Sequence, residues 1–384
     1  MDQKRVLIVQ RRITEYRVPL FLNLREYLNR QGINLDLIYG VETLAEATRQ
    51  DAGHIGWAFK AKSFYPKLFG TYFNYIRVRR TLLNKYDLII SPHENSLLLN
   101  YRLMLRRRVF RRRFAFWGHG ANFQELSRES KKNYIKKWSM LETDWWFAYT
   151  ALSVQRIREA GFPIERVTCL NNTVDVAQLS GWRESITPIE QADLLSKLGL
   201  QGNHLAIFLG GLIPTKRLDF LFKASDLIKR RFHDFELLII GDGPLCDKVR
   251  DYVSNRPWAK WVGAKHDREK VLHLALGKVM LNPGMVGLGI LDSLAMGLPM
   301  VTTDCKIHSP EIAYLDPGRN GIITENRLEA FIKQVGKLFV NPSLRQKIAE
   351  EGIKDSSQYL LGHMVKRFCE GITQALNTPQ FFAQ

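Results

Sequence analysis

Three short apolar runs in the second half of the chain each stop at a glycine turn, and this pattern restricts the fold more than any other feature. His204–Leu209 runs into Gly210-Gly211, Glu236–Ile240 into Gly241-Asp-Gly243-Pro, and Lys278–Leu281 into Asn282-Pro-Gly-Met-Val-Gly-Leu-Gly289. Apolar runs this short and without alternation read as strands covered on both faces, as in parallel sheets wrapped by helices. The last turn opens into an apolar segment, about Ile290–Met296, that reads as a helix, and Pro299–Thr303 reads as the next strand. The first half repeats the theme. Strands are expected at Arg5–Gln10, Asn34–Tyr39, Tyr86–Ser91, Arg113–Trp117, Trp145–Ala148 and Arg166–Leu170, with helices near Pro19–Gln31 and Ala151–Ala160. Alternating elements of these lengths imply a doubly wound α/β sheet in each half.

In such sheets ligands bind outside the carboxyl ends of the strands, where this chain concentrates its turn chemistry. Gly287 and Gly289 let backbone approach a ligand closely, and the helix they open points unpaired N–H groups and a partial positive charge at it. By itself a glycine turn before a helix is more often plain punctuation. Here three strand ends carry turns on one edge, and two of them add Lys216, Arg217 or Asp242.

With these residues in view, the sequence resembles the retaining glycosyltransferases of family 4, most strongly over about 205–325 and more weakly over 1–180. The resemblance implies a GT-B fold, two Rossmann-like domains facing a central cleft: residues 1–180 binding acceptor, 181–361 binding nucleotide sugar, and a last helix from 362 crossing back to the first domain. The family pattern runs G-R-L-x-x-x-K-G, G-D-G-P, an E-x(7)-E segment ending A-x-G-x-P, then a Glu before N-G. This chain shows Lys216, Gly241-Asp-Gly-Pro244, Ala295-Met-Gly-Leu-Pro299, Glu311 and Asn320-Gly321 at matching places. It departs at Gly211, where Arg is usual, and at Arg217, where Gly is usual. The two glutamates become Gly284 and Asp292. The resemblance implies that the first of these departures removes the carboxylate that touches the donor sugar in the family, whereas a carboxylate at Asp292 still suits the ribose hydroxyls.

By that resemblance the donor set is Gly211, Lys216, Arg217, Gly241, Gly243, Val262, Gly287, Leu288, Gly289, Ile290 and Asp292, with His119, Lys216 and Arg217 as the catalytic candidates. His119 sits between glycines just after a strand, in Trp117-Gly-His-Gly-Ala-Asn-Phe123, and the family's counterpart faces the transferred sugar. Tyr16-Arg17-Val-Pro19 resembles a variant of the family's first loop. Arg11, Arg12 and Arg17 there are expected either in the cleft or in solvent, and His93 and Glu94 beside the acceptor. Asn172 and Asp175 read as hinge residues.

The charge is unevenly spread. Residues 1–184 hold 31 Lys and Arg against 17 Asp and Glu, a net +14 of the chain's +18. The densest part is Leu105-Arg-Arg-Arg-Val-Phe-Arg-Arg-Arg113, with Lys131, Lys132, Lys136 and Lys137 beyond it. Basic residues mixed with apolar ones suit an anionic lipid surface; a solvated helix face is the alternative. Nucleic acid is a rival for so basic a chain, but no helix-turn-helix, RNP-like or zinc-finger pattern is legible. A dehydrogenase is disfavoured because the first strand runs into Gln10-Arg-Arg-Ile-Thr without G-x-G-x-x-G. No D-x-D occurs, so no cofactor and no divalent metal is expected.

The 384 residues suit two domains with their own cores. Four scattered cysteines, Cys169, Cys246, Cys305 and Cys369, lack metal-ligand spacing and point to a reducing compartment. Neither a signal peptide nor an uncharged apolar stretch of membrane-spanning length is read. The expectation is a UDP-hexose transferase acting on a saccharide or lipid-linked acceptor at the cytoplasmic membrane face. The alternatives are another GT-B enzyme, such as a nucleotide-sugar epimerase, and a non-catalytic basic binding protein.

Overall fold

A computed structural model describes residues 3–43, 46, 51–68, 71–120 and 138–382. The chain divides into two compact units, 1–172 with 361–384 and 173–360. The boundary falls before the expected residue 180 because the helix that follows packs on the second unit.

In the first unit seven parallel strands are β1 (Lys4–Gln10), β2 (Ile33–Tyr39), β3 (Phe59–Lys60), β4 (Leu88–Pro92), β5 (Arg113–Gly118), β6 (Trp145–Ala148) and β7 (Val167–Cys169). Their order across the sheet is β7-β6-β5-β4-β1-β2-β3. The order reverses between β1 and β4, so the loops after those strands flank the sheet's switch point. Helix α1 (Val18–Arg30) buries Leu20, Phe21, Leu24 and Leu28, a spacing that lines one face of a helix, against the β1 and β2 side chains. Helix α2 (Leu98–Phe110) covers the opposite face through Leu99, Leu103 and Met104.

In the second unit six parallel strands are β8 (His204–Leu209), β9 (Phe235–Ile240), β10 (Ala259–Trp261), β11 (Val279–Asn282), β12 (Met300–Thr303) and β13 (Ile322–Thr324). Their order is β10-β9-β8-β11-β12-β13, which places the switch between β8 and β11. Helices α3 (Val176–Ser185), α4 (Leu218–Arg231), α5 (Asp267–Leu274) and α6 (Gly289–Met296) cover the two faces; α3 packs on α5 and α6. The closing helix α7 (Leu361–Asn377) belongs to the first unit. There it lies on α1 and β7, and its Phe368 meets Trp117 and Phe147 at ring-centroid distances of 5.0 and 4.6 Å.

The basic run 105–113 covers the end of α2, the left-handed Arg111 after it, Arg112 and the first residue of β5, and is not a uniformly solvated stretch. Arg106 is buried, donating to Leu83 O at 2.5 Å. Arg107 is 1% exposed, with Nε 3.0 Å from Asp144 Oδ1 and Nη1 3.6 Å from Glu142 Oε2. Arg108 is exposed but paired with Glu142. Two of the six arginines are therefore structural, and the outward residues are Leu105, Arg108, Val109, Phe110, Arg111 and Arg112. Lys131, Lys132, Lys136 and Lys137 lie outside the described residues.

Removing one partner of a buried ion pair strands the other charge. Arg107→Ala should therefore lower the unfolding free energy by about 3 kcal/mol. Arg112→Ser, at the surface, should change it by less than about 0.5 kcal/mol. Urea denaturation of both variants checks the contrast.

Candidate active site at the carboxyl edges of the sheets

In the second unit the loops after β8, β9 and β11 are laced together by their backbones. Gly210 N–H donates to Ile240 O at 3.0 Å, Leu212 N–H to Asp242 O at 2.9 Å and Met285 N–H to Thr215 O at 2.9 Å. Such close approach explains several glycines outright. A Cβ on Gly241 would lie 2.0 Å from Gly210 O, and one on Gly243 would lie 2.8 Å from Leu212 O, both at positive φ. On Gly284 it would lie 2.4 Å from Thr215 O and 2.6 Å from Lys216 O. The missing first glutamate thus has a physical reason: the Lys216 turn occupies its space.

Gly211, Gly287 and Gly289 are different. None has positive φ, and a Cβ there would meet its nearest neighbours only at 3.9, 3.7 and 4.0 Å. Neither backbone conformation nor internal packing requires glycine at these three positions, all on the edge beside the switch between β8 and β11.

Lys216 lies among them. It is 8% exposed, and its Nζ donates to Met285 O at 2.6 Å. Burial pushes its pKa down to about 8, opposed in part by the neighbouring Cys305. A cation held in so dry a position is suited to an anionic ligand.

Arg217 has a different part from the one expected. Its φ of 55° puts it in the left-handed region, and its Nη1 donates to Pro283 O (3.1 Å), Thr303 Oγ1 (3.1 Å) and Asn326 Oδ1 (2.7 Å). Its guanidinium also stacks on Phe220 at 4.7 Å. The arginine ties the β11 and β12 strand ends together, so the expected basic pair separates into a buried lysine and a tethering arginine.

Asp292 lies in the first turn of α6, buried, and its Oδ1 is 2.6 Å from Lys270 Nζ on α5. Lys270 was not legible as a site residue, since its partner is 22 positions away with no motif joining them. Val262 follows β10, half-buried, its N–H donating to Ile239 O at 3.1 Å, while its neighbour Gly263 accepts from Gly241 N–H at 2.8 Å. The backbone of Leu288, Gly289 and Ile290 forms the start of α6. Structure thus gathers Gly211, Lys216, Gly241, Gly243, Val262, Gly287–Ile290 and Asp292 onto neighbouring loops of one sheet edge.

In the first unit, His119 follows β5 and is exposed, its ring edge-on to Tyr149 at 4.5 Å. Residues 121–123 of its loop lie outside the described residues. Arg17, after β1, is buried; its guanidinium lies 4.5 Å over Trp117, and Nη2 donates to Tyr149 Oη at 3.1 Å and Asn172 Oδ1 at 3.4 Å. The other two arginines of that loop are engaged within the unit: Arg12 with Glu42 and Asp51 at 2.6 and 2.7 Å, Arg11 with Glu46 and Glu94. His93 is enclosed by Phe116 and Trp146, with Nε2 3.0 Å from Ser139 Oγ, so it packs the core instead of lining the acceptor side. Asn172 ends the first unit, and Asp175 caps α3 through Gln178 N–H.

Comparison with known proteins bears on the loops of the second unit first. Residues 203–341 match the family model described as Glycosyl transferases group 1. This segment is similar to the group 1 glycosyltransferase domain. The match runs from β8 through the end of the helical segment after β13 and contains every donor-site candidate named above. An α-D-kanosaminyltransferase of Streptomyces kanamyceticus is 25% identical over 50% of this chain and 50% of its own. A GDP-mannose-dependent α-(1-6)-phosphatidylinositol monomannoside mannosyltransferase of Mycolicibacterium smegmatis is 27% identical over 40% and 44%. The matches thus span about half the length of these relatives or less. Among solved structures, Anabaena HepE in complex with UDP is similar at a TM-score of 0.71, with 14% identity over 97% of this chain and 100% of that one. The lipopolysaccharide outer core galactosyltransferase WaaB is similar at 0.63, with 13% identity over 96% and 99%. The group 1 domain is therefore one of two Rossmann-like domains of a GT-B fold.

The steric account of Gly284 has a direct test. Gly284→Glu, which restores the commoner family residue, should not improve the site; it should overpack the Lys216 turn and cost about 1–3 kcal/mol of stability. Urea denaturation reads the loss.

Proposed function

We propose that this chain is a retaining, metal-independent glycosyltransferase. It moves a hexosyl group from a nucleoside-diphosphate sugar, UDP-glucose or a similar UDP-hexose, to a saccharide or lipid-linked acceptor in surface-polysaccharide synthesis. The observation that carries the reading is the buried Lys216 beside three glycines whose lack of a side chain the fold itself does not require. The group 1 match over the same loops, and the transferase names of the relatives, support it.

Charge development explains the arrangement. As the glycosidic bond to the donor breaks, negative charge grows on the leaving diphosphate while the sugar becomes oxocarbenium-like. Lys216 supplies a desolvated cation to that charge, and the N–H groups at Leu288 and Gly289 supply oriented dipoles, whereas that of Ile290 is given to Gly287 O at 3.1 Å. Asp292, held by Lys270, is assigned to the ribose hydroxyls, and His119 to the transferred sugar. Arg217 acts through the strand ends it joins. Retention follows in this reading from attack on the face the diphosphate leaves, with a phosphate oxygen accepting the acceptor's proton.

Lys216 is charged below about pH 8 in the free protein and loses its proton as pH rises through that value. Donor kcat/KM should therefore fall on the alkaline side near pH 8, and Lys216→Ala should lower it on the order of 100-fold. Product nucleoside diphosphate, followed across a panel of nucleotide sugars with and without EDTA, checks both the activity and its independence of metal. Full, reversible loss in EDTA would contradict the mechanism.

The reading also places the protein on an anionic membrane surface at the cytoplasmic face. No helix among the described residues is long and apolar enough to cross a membrane. Exposed Leu105, Arg108, Val109 and Phe110 end α2, exposed Arg111 and Arg112 follow it, and Arg80 lies over the Phe110 ring at 4.6 Å. Apolar side chains for the acyl boundary and cations for the headgroups are what such a surface binds. Replacing Leu105, Val109 and Phe110 by Ser and Arg111 and Arg112 by Gln should abolish sedimentation with phosphatidylglycerol vesicles. Wild-type binding should weaken in high salt. Salt-sensitive binding to RNA, but not to vesicles, would revive the nucleic-acid alternative.

A further inference from the structure

Between β12 and Glu311 the chain carries His308, which has no part in the proposed chemistry. His308 makes two backbone contacts that fix its ring. Its Nδ1 accepts the N–H of Val286 at 3.1 Å, and its Nε2 lies 2.7 Å from Thr303 O. A nitrogen that accepts an N–H carries no proton, and one facing a carbonyl carries one, so these contacts select the tautomer with its proton on Nε2. The next residue completes the attachment, since Ser309 N–H donates to Val286 O at 2.9 Å. Both backbone groups of Val286 are therefore held by consecutive residues, and its side chain is fully buried.

Val286 sits between the two parts of the site. On its N-terminal side, Met285 is held by the 215–216 turn, through Met285 N–H to Thr215 O and Lys216 Nζ to Met285 O. On its C-terminal side come Gly287 and then Leu288 and Gly289, whose N–H groups are assigned to the phosphates. The segment 285–286 is thus pinned from one side by the lysine turn and from the other by His308.

We infer that His308 is a positioning residue of the diphosphate subsite: it fixes the height of the Gly287–Gly289 turn relative to Lys216 without itself touching the ligand. The inference rests on the glycosyltransferase reading of this edge. It has a specific consequence. Loss of the Nδ1 acceptor leaves Val286 N–H without its partner and frees the turn, so contacts with the phosphates weaken while those with the nucleoside do not. Asn at this position brings a side-chain oxygen close to where Nδ1 lay; Gln, one methylene longer, does not.

Ligand-observed NMR titrations with UDP, GDP and uridine on wild type, His308→Ala, His308→Asn and His308→Gln test this, with thermal unfolding as the control for folding. The expected result is UDP affinity at least 10-fold weaker for the Ala and Gln variants, within about threefold of wild type for Asn, and uridine affinity unchanged throughout. UDP affinity of the Ala variant within twofold of wild type would overturn the positioning role. So would equal losses of UDP and uridine, or an Asn variant as impaired as Gln. Wild-type protein binding neither UDP nor GDP would instead overturn the reading of the edge on which the inference rests.

Discussion

A buried ammonium group is costly to maintain, and the second unit keeps one at the carboxyl edge of its sheet. Burial brings Lys216 to about pH 8, with Met285 O as its hydrogen-bond acceptor. Much of the local structure depends on that placement. Gly284 lacks a side chain because the turn bearing Lys216 lies against it, and Gly210 is held close to the lysine stem, where a Cβ would be 3.1 Å from Cε. Arg217, next in sequence, is turned by its left-handed backbone toward Pro283, Thr303 and Asn326. Two adjacent cations thus diverge, one inward to Met285 O and one across the strand ends as a tie. The depressed pKa also has a stability cost: keeping Lys216 charged opposes folding below about pH 8, and the opposition fades as pH rises from there toward the unfolded lysine's value near 10.5.

The architecture was legible because its signals are local. A strand covered on both faces announces itself as a short apolar run, and a sheet-edge turn announces itself in glycines such as Gly241 and Gly243, whose backbone angles and close contacts favour no other residue. The strand ends found at Gln10, Tyr39, Ala148, Leu209, Ile240 and Thr303 coincide with those read from the pattern. What was not legible depends on partners far away in sequence. Arg107 is an interior residue because Asp144 lies 37 positions on, Arg217 a tie because Asn326 lies 109 positions on, and His93 a core residue because Phe116 and Trp146 wall it in. A run of arginines reads as surface when only its composition is known. Lys270 and His308 escaped notice for the same reason: each meets its partner only through the fold.

The first unit has its own strand-end cluster, built on different chemistry. Arg17 is stacked on Trp117 and bonded to Tyr149 and Asn172, so the end of β5 and the loops after β1, β6 and β7 converge on one guanidinium. His119 contacts that cluster through Tyr149. Here a planar cation is satisfied by aromatic faces and neutral oxygens, whereas Lys216 is a point charge beside backbone. The two sheet edges therefore hold their cations by different chemistry.

The position of α7 affects the order in which the chain can assemble. Thr173 Oγ1 donates to Tyr359 O at 2.5 Å, so the second unit begins and ends at one place, and in connectivity it is an insertion within the first. A ribosome delivers residues 173–360 before it delivers α7. Until then the face of the first sheet that carries Trp117 and Phe147 lacks the Phe368 that covers it. The unit begun first is therefore the one finished last. Truncation of the final helix should leave the later-made unit intact while exposing the aromatic face of the earlier one to aggregation during synthesis.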